Sequence, residues 1–298
     1  MVARAVDTVS RGTWMSERLD VRKTYKLVVN GAFIRSESGR SYEVVDASGA
    51  FLANVAWGSR KDVRDAVAAA RAAQTKWWST SAYNRGQVLY RLAEMAESRR
   101  DEFAALVAAS EGRSSADART IVDVAIDRVV WYAGWTDKVA QVFGGANPVA
   151  GPFFNFSLPT PSGVVGVVAP ASSSLAALVD QVLAPLATGN AVVALASHER
   201  PTPALLLGEL TVTADFPPGL LNVLTGTRDE LAPVLCSHED VDGVDLSGVD
   251  DEDVAPLALR CAESIKRVVR TGFNGEADSL RRLRGFLETT TVWHTVGQ

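Results

Sequence analysis

The chain has 298 residues, is 47% hydrophobic and carries a formal net charge of −5. That acidic balance argues against a nucleic acid or an anionic membrane surface as its partner, and no apolar run reaches the roughly 20 residues that span a bilayer. Two cysteines, Cys236 and Cys261, give no disulfide framework, and residues 1–20 show no apolar signal segment, so a cytoplasmic location is expected.

Residues 1–24 read as a loose arm. Residues 26–35 (KLVVNGAFIR) set two short apolar runs about Asn30-Gly31, a pair suited to a tight hairpin. A strand is expected over 42–47. Asp62 then opens an alanine-rich helix to Thr75, with its carboxylate at the positive end of the helix dipole. Helices follow over 84–99 and 100–111. The longest is expected over 115–142, where Ile121, Val124, Ala125, Ile126, Val129 and Val130 recur near helical spacing. Trp131, Tyr132 and Trp135 on it read as core or interface aromatics. From Gly163 the rhythm changes. Strands at 163–169, 190–195, 221–224, 244–246 and 266–269 alternate with a helix ending at Ala187 and helices over 203–213, 229–236 and 253–264. Such alternation with short links predicts a parallel sheet covered by helices on both faces. Ligands of such sheets bind at the C-terminal ends of the strands.

Several stretches, in this order and spacing, resemble the NAD(P)-dependent aldehyde dehydrogenases. They are WWSTSAYNRGQVL at 77–89, the YAGW turn at 132–135, GVVGVVAP at 163–170, LAPLATGNAVV at 183–193 and FPPGLLNVLTG at 216–226. The resemblance runs from about Lys26 to Arg270 and returns in the tail. It implies an α/β fold, with a Rossmann-type parallel sheet flanked by helices and a small antiparallel oligomerisation sheet. The implied organisation is an N-terminal arm at 1–24, then N-terminal strands and helices of the cofactor domain at 25–152. An oligomerisation hairpin at 153–162 and the Rossmann-type domain at 163–272 come next. Residues 273–298 are then a linker and a C-terminal oligomerisation strand, read at 287–296 (LETTTVWHTV).

The resemblance places Val168, Pro170, Ser172, Leu195, His198, Gly226, Gly248 and Val249 around a degenerate cofactor site. Ser172 stands where the family has an asparagine that supports the oxyanion, and losing one such donor costs about 100- to 1,000-fold in turnover. Leu195 and His198 stand where a lysine and a glutamate grip the adenosine ribose; a charged hydrogen bond is worth about 1.5–3 kcal/mol. Leu246-Ser247-Gly248-Val249 replaces Phe-Thr-Gly-Ser. Asp250, Asp251, Glu252 and Asp253 follow, at a helix end that would otherwise face a pyrophosphate. Ordinary acidic capping of that helix is the plainer reading and agrees with a lost cofactor.

After Arg270 neither the family's Glu-Leu-Gly-Gly-Lys base segment nor its nucleophilic-cysteine loop has a counterpart. The catalytic domain is therefore expected to be absent, and no catalytic residue or metal ligand is assigned. Cys236, Ser237 and His238 are neighbours that do not face one another on a helix. Cys261 reads as core packing, and Ser172, Ser173 and Ser174 have no His and Asp partners placed beside them. The resemblance thus implies a non-catalytic subunit that assembles with a full-length aldehyde dehydrogenase or with itself. No cofactor is expected, beyond weak NAD(P) binding. Two alternatives stand beside it: an oxidoreductase completed by a partner's residues, and a stand-alone binding module.

Overall fold

The computed structural model describes residues 23–296, so all but the end of the expected arm at 1–24 lies outside the described residues. Strand β1 (Thr24–Tyr25), the hairpin β2 (Leu27–Val29) and β3 (Ala32–Ile34), and the antiparallel pair β4 (Ser41–Val45) and β5 (Phe51–Ala56) open the fold. Asn30 and Gly31 turn the hairpin at φ of 52° and 70°, the left-handed geometry that this dipeptide accepts at little cost.

Helix α1 (Arg60–Ser79) starts before Asp62, which is its third residue. The Ser59 hydroxyl accepts from the Asp62 N–H, and the Asp62 carboxylate accepts from the Ser59 N–H at 2.7 Å. This reciprocal cap satisfies two otherwise orphaned donors, and Ser36 donates to the same buried carboxylate at 2.7 Å. Helices α2 (Ala82–Ser98), α3 (Arg100–Glu111) and α4 (Ser115–Trp135) follow, then the short α5 (Val139–Phe143). The single helix expected over 115–142 is therefore broken, and the YAGW stretch is the last turn of α4 rather than a separate turn. Thr136 ends the helix by donating its hydroxyl back to the Ala133 carbonyl at 2.9 Å, a local bond that competes with the helical ladder.

Strand β6 (Gly145–Asn147) pairs antiparallel with β7 (Phe153–Pro161). The hairpin expected within 153–162 is thus one continuous strand, whose partner arm lies upstream of the Pro148 to Pro152 turn. The parallel sheet then builds from β8 (Val164–Val168), α6 (Ala176–Ala187), β9 (Ala191–Leu195), α7 (Thr202–Thr213) and β10 (Leu221–Leu224). It continues with α8 (Arg228–Ser237), β11 (Gly243–Asp245), α9 (Asp251–Ala262) and β12 (Arg267–Val269). Helix α10 (Glu276–Gly285) and strand β13 (Leu287–Thr295) close the described chain. The segment expected as a linker is largely α10, which turns Ser279, Arg282 and Leu283 inward and leaves Arg281 and Arg284 exposed.

The main sheet has seven strands in the order β12-β11-β8-β9-β10-β2-β3. The first five are parallel, and β2 joins β10 antiparallel. Strands β8 to β10 are nearly wholly buried runs of valine, leucine and alanine, as a sheet covered on both faces requires. Helices α1 and α8 pack on the sheet together, α6 and α7 pack on it as a second group, and α2, α3 and α4 lie outside α6 and α7. The indole of Trp77, 1% exposed, donates to the Leu186 carbonyl at 2.9 Å and ties α1 to α6. The Tyr132 hydroxyl donates to Asp180 at 3.0 Å and ties α4 to α6, while burial pushes the Asp180 carboxyl above its usual range. Strand β13 pairs antiparallel with β7 along its whole length, from Leu287 opposite Pro161 to Thr295 opposite Phe153. Among the described residues no helix is long and apolar enough to cross a membrane.

Candidate functional site

The chain's progression across the sheet reverses between β8 and β11, and a crevice at such a switch point is where open α/β sheets take ligands. An open cleft of about 230 Å³ lies there, over the C-terminal ends of β8, β9 and β10. Val168, Leu195, His198 and Gly226 line it, together with Arg228, Asp229 and Asp253. Pro170, Ser172, Gly248 and Val249 do not. Pro170 is buried. Gly248 lies so close to β8 that a Cβ there would sit 2.4 Å from the Val168 carbonyl oxygen and the Pro170 nitrogen. Val249 turns into the core at 3% exposure. Ser172 is exposed, and its carbonyl accepts from Arg200 Nη1 at 2.8 Å.

His198 is a packing residue in this geometry. Its ring stacks on Tyr42 with centroids 4.5 Å apart and meets Trp57 edge-on at 5.7 Å. Its Nδ1 lies 3.1 Å from the Gly226 carbonyl oxygen, and Tyr42 donates its hydroxyl to the His198 carbonyl at 3.1 Å. The imidazole therefore spans from β9 to the end of β10 and anchors β4 over the cleft rim. Burial also pushes the Tyr42 phenol well above its usual range, so it stays a neutral donor.

Arg228, the first residue of α8, was not legible as a site residue. Its Nη2 donates to the Gly248 carbonyl at 3.4 Å, and its Nη1 lies 3.5 Å from Asp250 and 3.7 Å from Asp253. Arg270 takes Asp251 at 2.8 Å. Asp250 is the N-cap of α9, yet its side chain makes no capping bond. The acidic run thus occupies the N-cap and first turn of α9, as acidic capping expects, and three of its carboxylates also engage two arginines. The one signal in the sequence is a basic residue just after the Gly226-Thr227 turn, facing a run of four acids.

The remaining candidates resolve into structure. Glu111 accepts from both the N–H and the hydroxyl of Ser174, at 2.8 and 2.7 Å, and Ser173 accepts from the Ala177 N–H. His238 Nδ1 accepts from the Asp240 N–H at 3.2 Å instead of meeting Cys236. Both cysteines are buried away from the cleft. Beneath the switch point lies a buried network that sequence reasoning missed. Asp245 accepts from Arg282 Nε at 2.9 Å, from Gln181 Nε2 at 3.0 Å and from the Ser247 N–H at 2.8 Å. Gln181 also donates to the Val168 carbonyl, so the network ties β8, β11, α6 and α10 together. Among the described residues no cluster of His, Cys, Asp or Glu could hold a metal ion.

A doubly wound sheet with a cleft at its switch point defines a Rossmann-type α/β protein. The aldehyde dehydrogenase family model matches residues 33–269, and the chain belongs to that family. It is 34% identical over 247 residues to the mitochondrial benzaldehyde dehydrogenase of Antirrhinum majus, covering 82% of this chain and 46% of that protein. The aldehyde dehydrogenase of Bacillus cereus, solved with NAD+, superposes with a TM-score of 0.77 at 28% identity, over 83% of this chain and 50% of that one. HpcC of Thermus thermophilus superposes with a TM-score of 0.80 at 27% identity, over 84% of this chain and 48% of that one. The chain spans about half the length of the relatives it matches.

Proposed function

We propose that this chain is a non-catalytic aldehyde dehydrogenase-like subunit that assembles with a full-length relative. The observation that carries the reading is the β7–β13 ladder. Strand β13 is the edge of its sheet; the pair exposes Phe153 and Trp293, whose rings meet edge-on at 5.7 Å, on one face, and Phe154 and Leu158 on the other. A long, exposed strand edge is a template for pairing with another chain, and clustered exposed apolar side chains mark a contact surface. The geometry of the cleft agrees with a protein freed from chemistry. Its floor offers Leu195 where a ribose needs a charged donor, the His198 ring is already committed to Tyr42 and Trp57, and neither thiol opens on it. Arg228 lines the cleft, and two carboxylates already face it. These residues do not fit an NAD(P) held as the family holds it.

The test is co-elution of the purified chain with a full-length aldehyde dehydrogenase from the same organism in size-exclusion chromatography. Co-elution that is lost in a Phe154→Asp, Trp293→Asp variant supports the reading; separate elution of the two wild-type chains contradicts it.

A second expectation concerns the cleft. The double variant Leu195→Lys, His198→Glu restores a charged donor and an acceptor at the ribose end. It should tighten NAD+ binding by about ten- to a hundred-fold over the wild-type chain, in line with one or two regained polar contacts. Isothermal titration measures it, and equal weak binding by both proteins would show that another part of the cleft excludes the nucleotide.

A further inference from the structure

We infer that the free edge of β4 is a docking site for an extended peptide rich in lysine or arginine, which adds to the sheet as an antiparallel strand. The site lies on a different sheet from the β7–β13 ladder and does not depend on the assembly reading above. Its sheet has the order β1-β5-β4, so among the described residues β4 pairs on one side only. The Trp57 N–H donates to the Arg40 carbonyl at 2.9 Å, and the Asp46 N–H donates to the Ala50 carbonyl at 2.8 Å. Residues 40 and 46 therefore turn their bonding groups toward β5. Along an antiparallel ladder these groups alternate from side to side. Tyr42 and Val44 thus also bond toward β5, and Ser41, Glu43 and Val45 present their N–H and C=O groups outward. Ala47 keeps the alternation, since its N–H donates outward to the Ala109 carbonyl at 2.9 Å. Val44 lies opposite Ala53 and Val45 opposite Phe51, so the irregularity in register falls on β5 and leaves the outer edge of β4 regular.

A groove runs along this strand. It is open, has a volume of about 380 Å³, and is walled by residues 42–47 on one side and by Ser110 and residues 198–200 on the other. The outward bond of Ala47 ends on Ala109, the neighbour of Ser110, which places the groove on the unpaired side of β4. Two bonds frame it: Ala47 to Ala109 at one end, and the Tyr42 hydroxyl to the His198 carbonyl at the other. Extended chain from Tyr42 to Ala47 covers about 17 Å, room for about five residues of an added strand. A strand edge beside a walled groove recognises peptides by main-chain bonds, and the side chains along the wall select among them.

Charge selects the occupant. Glu43, Asp46 and Glu199 line the groove against a single cation, Arg200, whose Nη1 donates to the Ser172 carbonyl at 2.8 Å. Asp46 serves its own turn, accepting from the Ser48 and Ala50 N–H groups at 2.8 and 2.9 Å. Glu43 and Glu199 are therefore the anions that meet an occupant. In an antiparallel pair, the residue directly opposite Glu43 exchanges both backbone bonds with it and sets its side chain on the same face. A lysine or arginine there is attracted and an aspartate or glutamate is repelled, so the edge discriminates by sign. The same repulsion acts against two β4 edges pairing with Glu43 opposite Glu43, which counts against a second copy of the chain as the occupant.

The test uses the full chain and a fluorescein-labelled hexapeptide of alternating lysine and valine, read by fluorescence anisotropy and by hydrogen exchange of the protein. The expected result is saturable binding with a Kd below about 100 µM, with slowed exchange confined to residues 41–45. The same peptide with glutamate in place of lysine should not bind. Methyl groups on the lysine backbone nitrogens should abolish binding, because those N–H groups face β4, and methyl groups on the valine nitrogens should spare it. Glu43→Lys should weaken binding about ten-fold and leave the melting temperature unchanged. Val45→Pro removes one outward donor without touching the β4–β5 ladder and should weaken binding as well. Binding that tolerates methylated lysine nitrogens, that persists unchanged in Glu43→Lys, or that protects a segment other than 41–45 would be mere adherence of a cation to an acidic protein and would overturn the proposal. Absence of binding by the lysine peptide would overturn it too.

Discussion

Asp245→Ala is expected to destabilise the fold by about 3–5 kcal/mol, the usual cost of leaving one member of a buried ion pair without its partner. Asp245 and Arg282 are both 0% exposed and 2.9 Å apart. The guanidinium has few other acceptors: the Thr271 and Gly272 carbonyls at 3.4 and 3.2 Å. Removing the carboxylate also strands Gln181 Nε2 with one acceptor and frees the Ser247 N–H. The pair is the covalently remote link that seats α10 against β11, so its loss should loosen α10 and, through it, β13. Replacing both partners together, Asp245→Leu with Arg282→Met, removes the desolvation cost along with the attraction and should be far milder than either single change. Urea denaturation of the two single variants and the double variant measures this. Single changes costing under about 1 kcal/mol would mean that water reaches the pair and that α10 is held by Leu283 and Phe286 alone.

The larger effect concerns chemistry. The isolated chain should form NADH from aldehydes at a rate about a million-fold below that of a full-length relative, the scale of loss when nucleophile or base is removed. Among the described residues, the side chains that line the cleft carry no thiol. The chain runs from β12 to α10 through residues 270–275, and neither Cys236 nor Cys261 lines the cleft. Cys236 on α8 and Cys261 on α9 are both buried. Ser172 is exposed, with its carbonyl held by Arg200, and its side chain has no amide to offer. The measurement is absorbance at 340 nm with short aliphatic and aromatic aldehydes at high NAD+. A rate within a hundred-fold of a full-length relative would contradict the account.

Much of this fold is written in local pattern. The apolar runs of β8, β9 and β10 are long enough to stand out, and the alternation with amphipathic helices predicts the parallel sheet. Asn30-Gly31 fixes its hairpin by backbone preference alone. What escaped the sequence was decided by contacts between distant residues. Helix α10 carries five charged residues in EADSLRRLRG, and its inward face becomes evident only when α6 and β12 are beside it. The end of α4 depends on one threonine that bonds backward, a feature that apolar periodicity does not carry. Of the positions carried over by resemblance, Val168, Leu195, His198 and Gly226 line the cleft, and Pro170, Ser172, Gly248 and Val249 do not, Gly248 because it packs against the end of β8 and Val249 because it turns into the core. Arg282 had no local signal, and Arg228 only its place just after the Gly226-Thr227 turn, ahead of a run of four acids. The nearest hint was Asp245, a charge set between Val244 and Leu246 in a strand that is otherwise apolar.

The most direct test of the account is affinity purification of the tagged chain from its native host at near-native expression, with quantitative mass spectrometry of what accompanies it. The account predicts recovery of a full-length aldehyde dehydrogenase in fixed proportion to the chain, lost when Phe154 and Trp293 are replaced by aspartate. Recovery of the chain alone, from a preparation in which the folded protein is abundant, would contradict it.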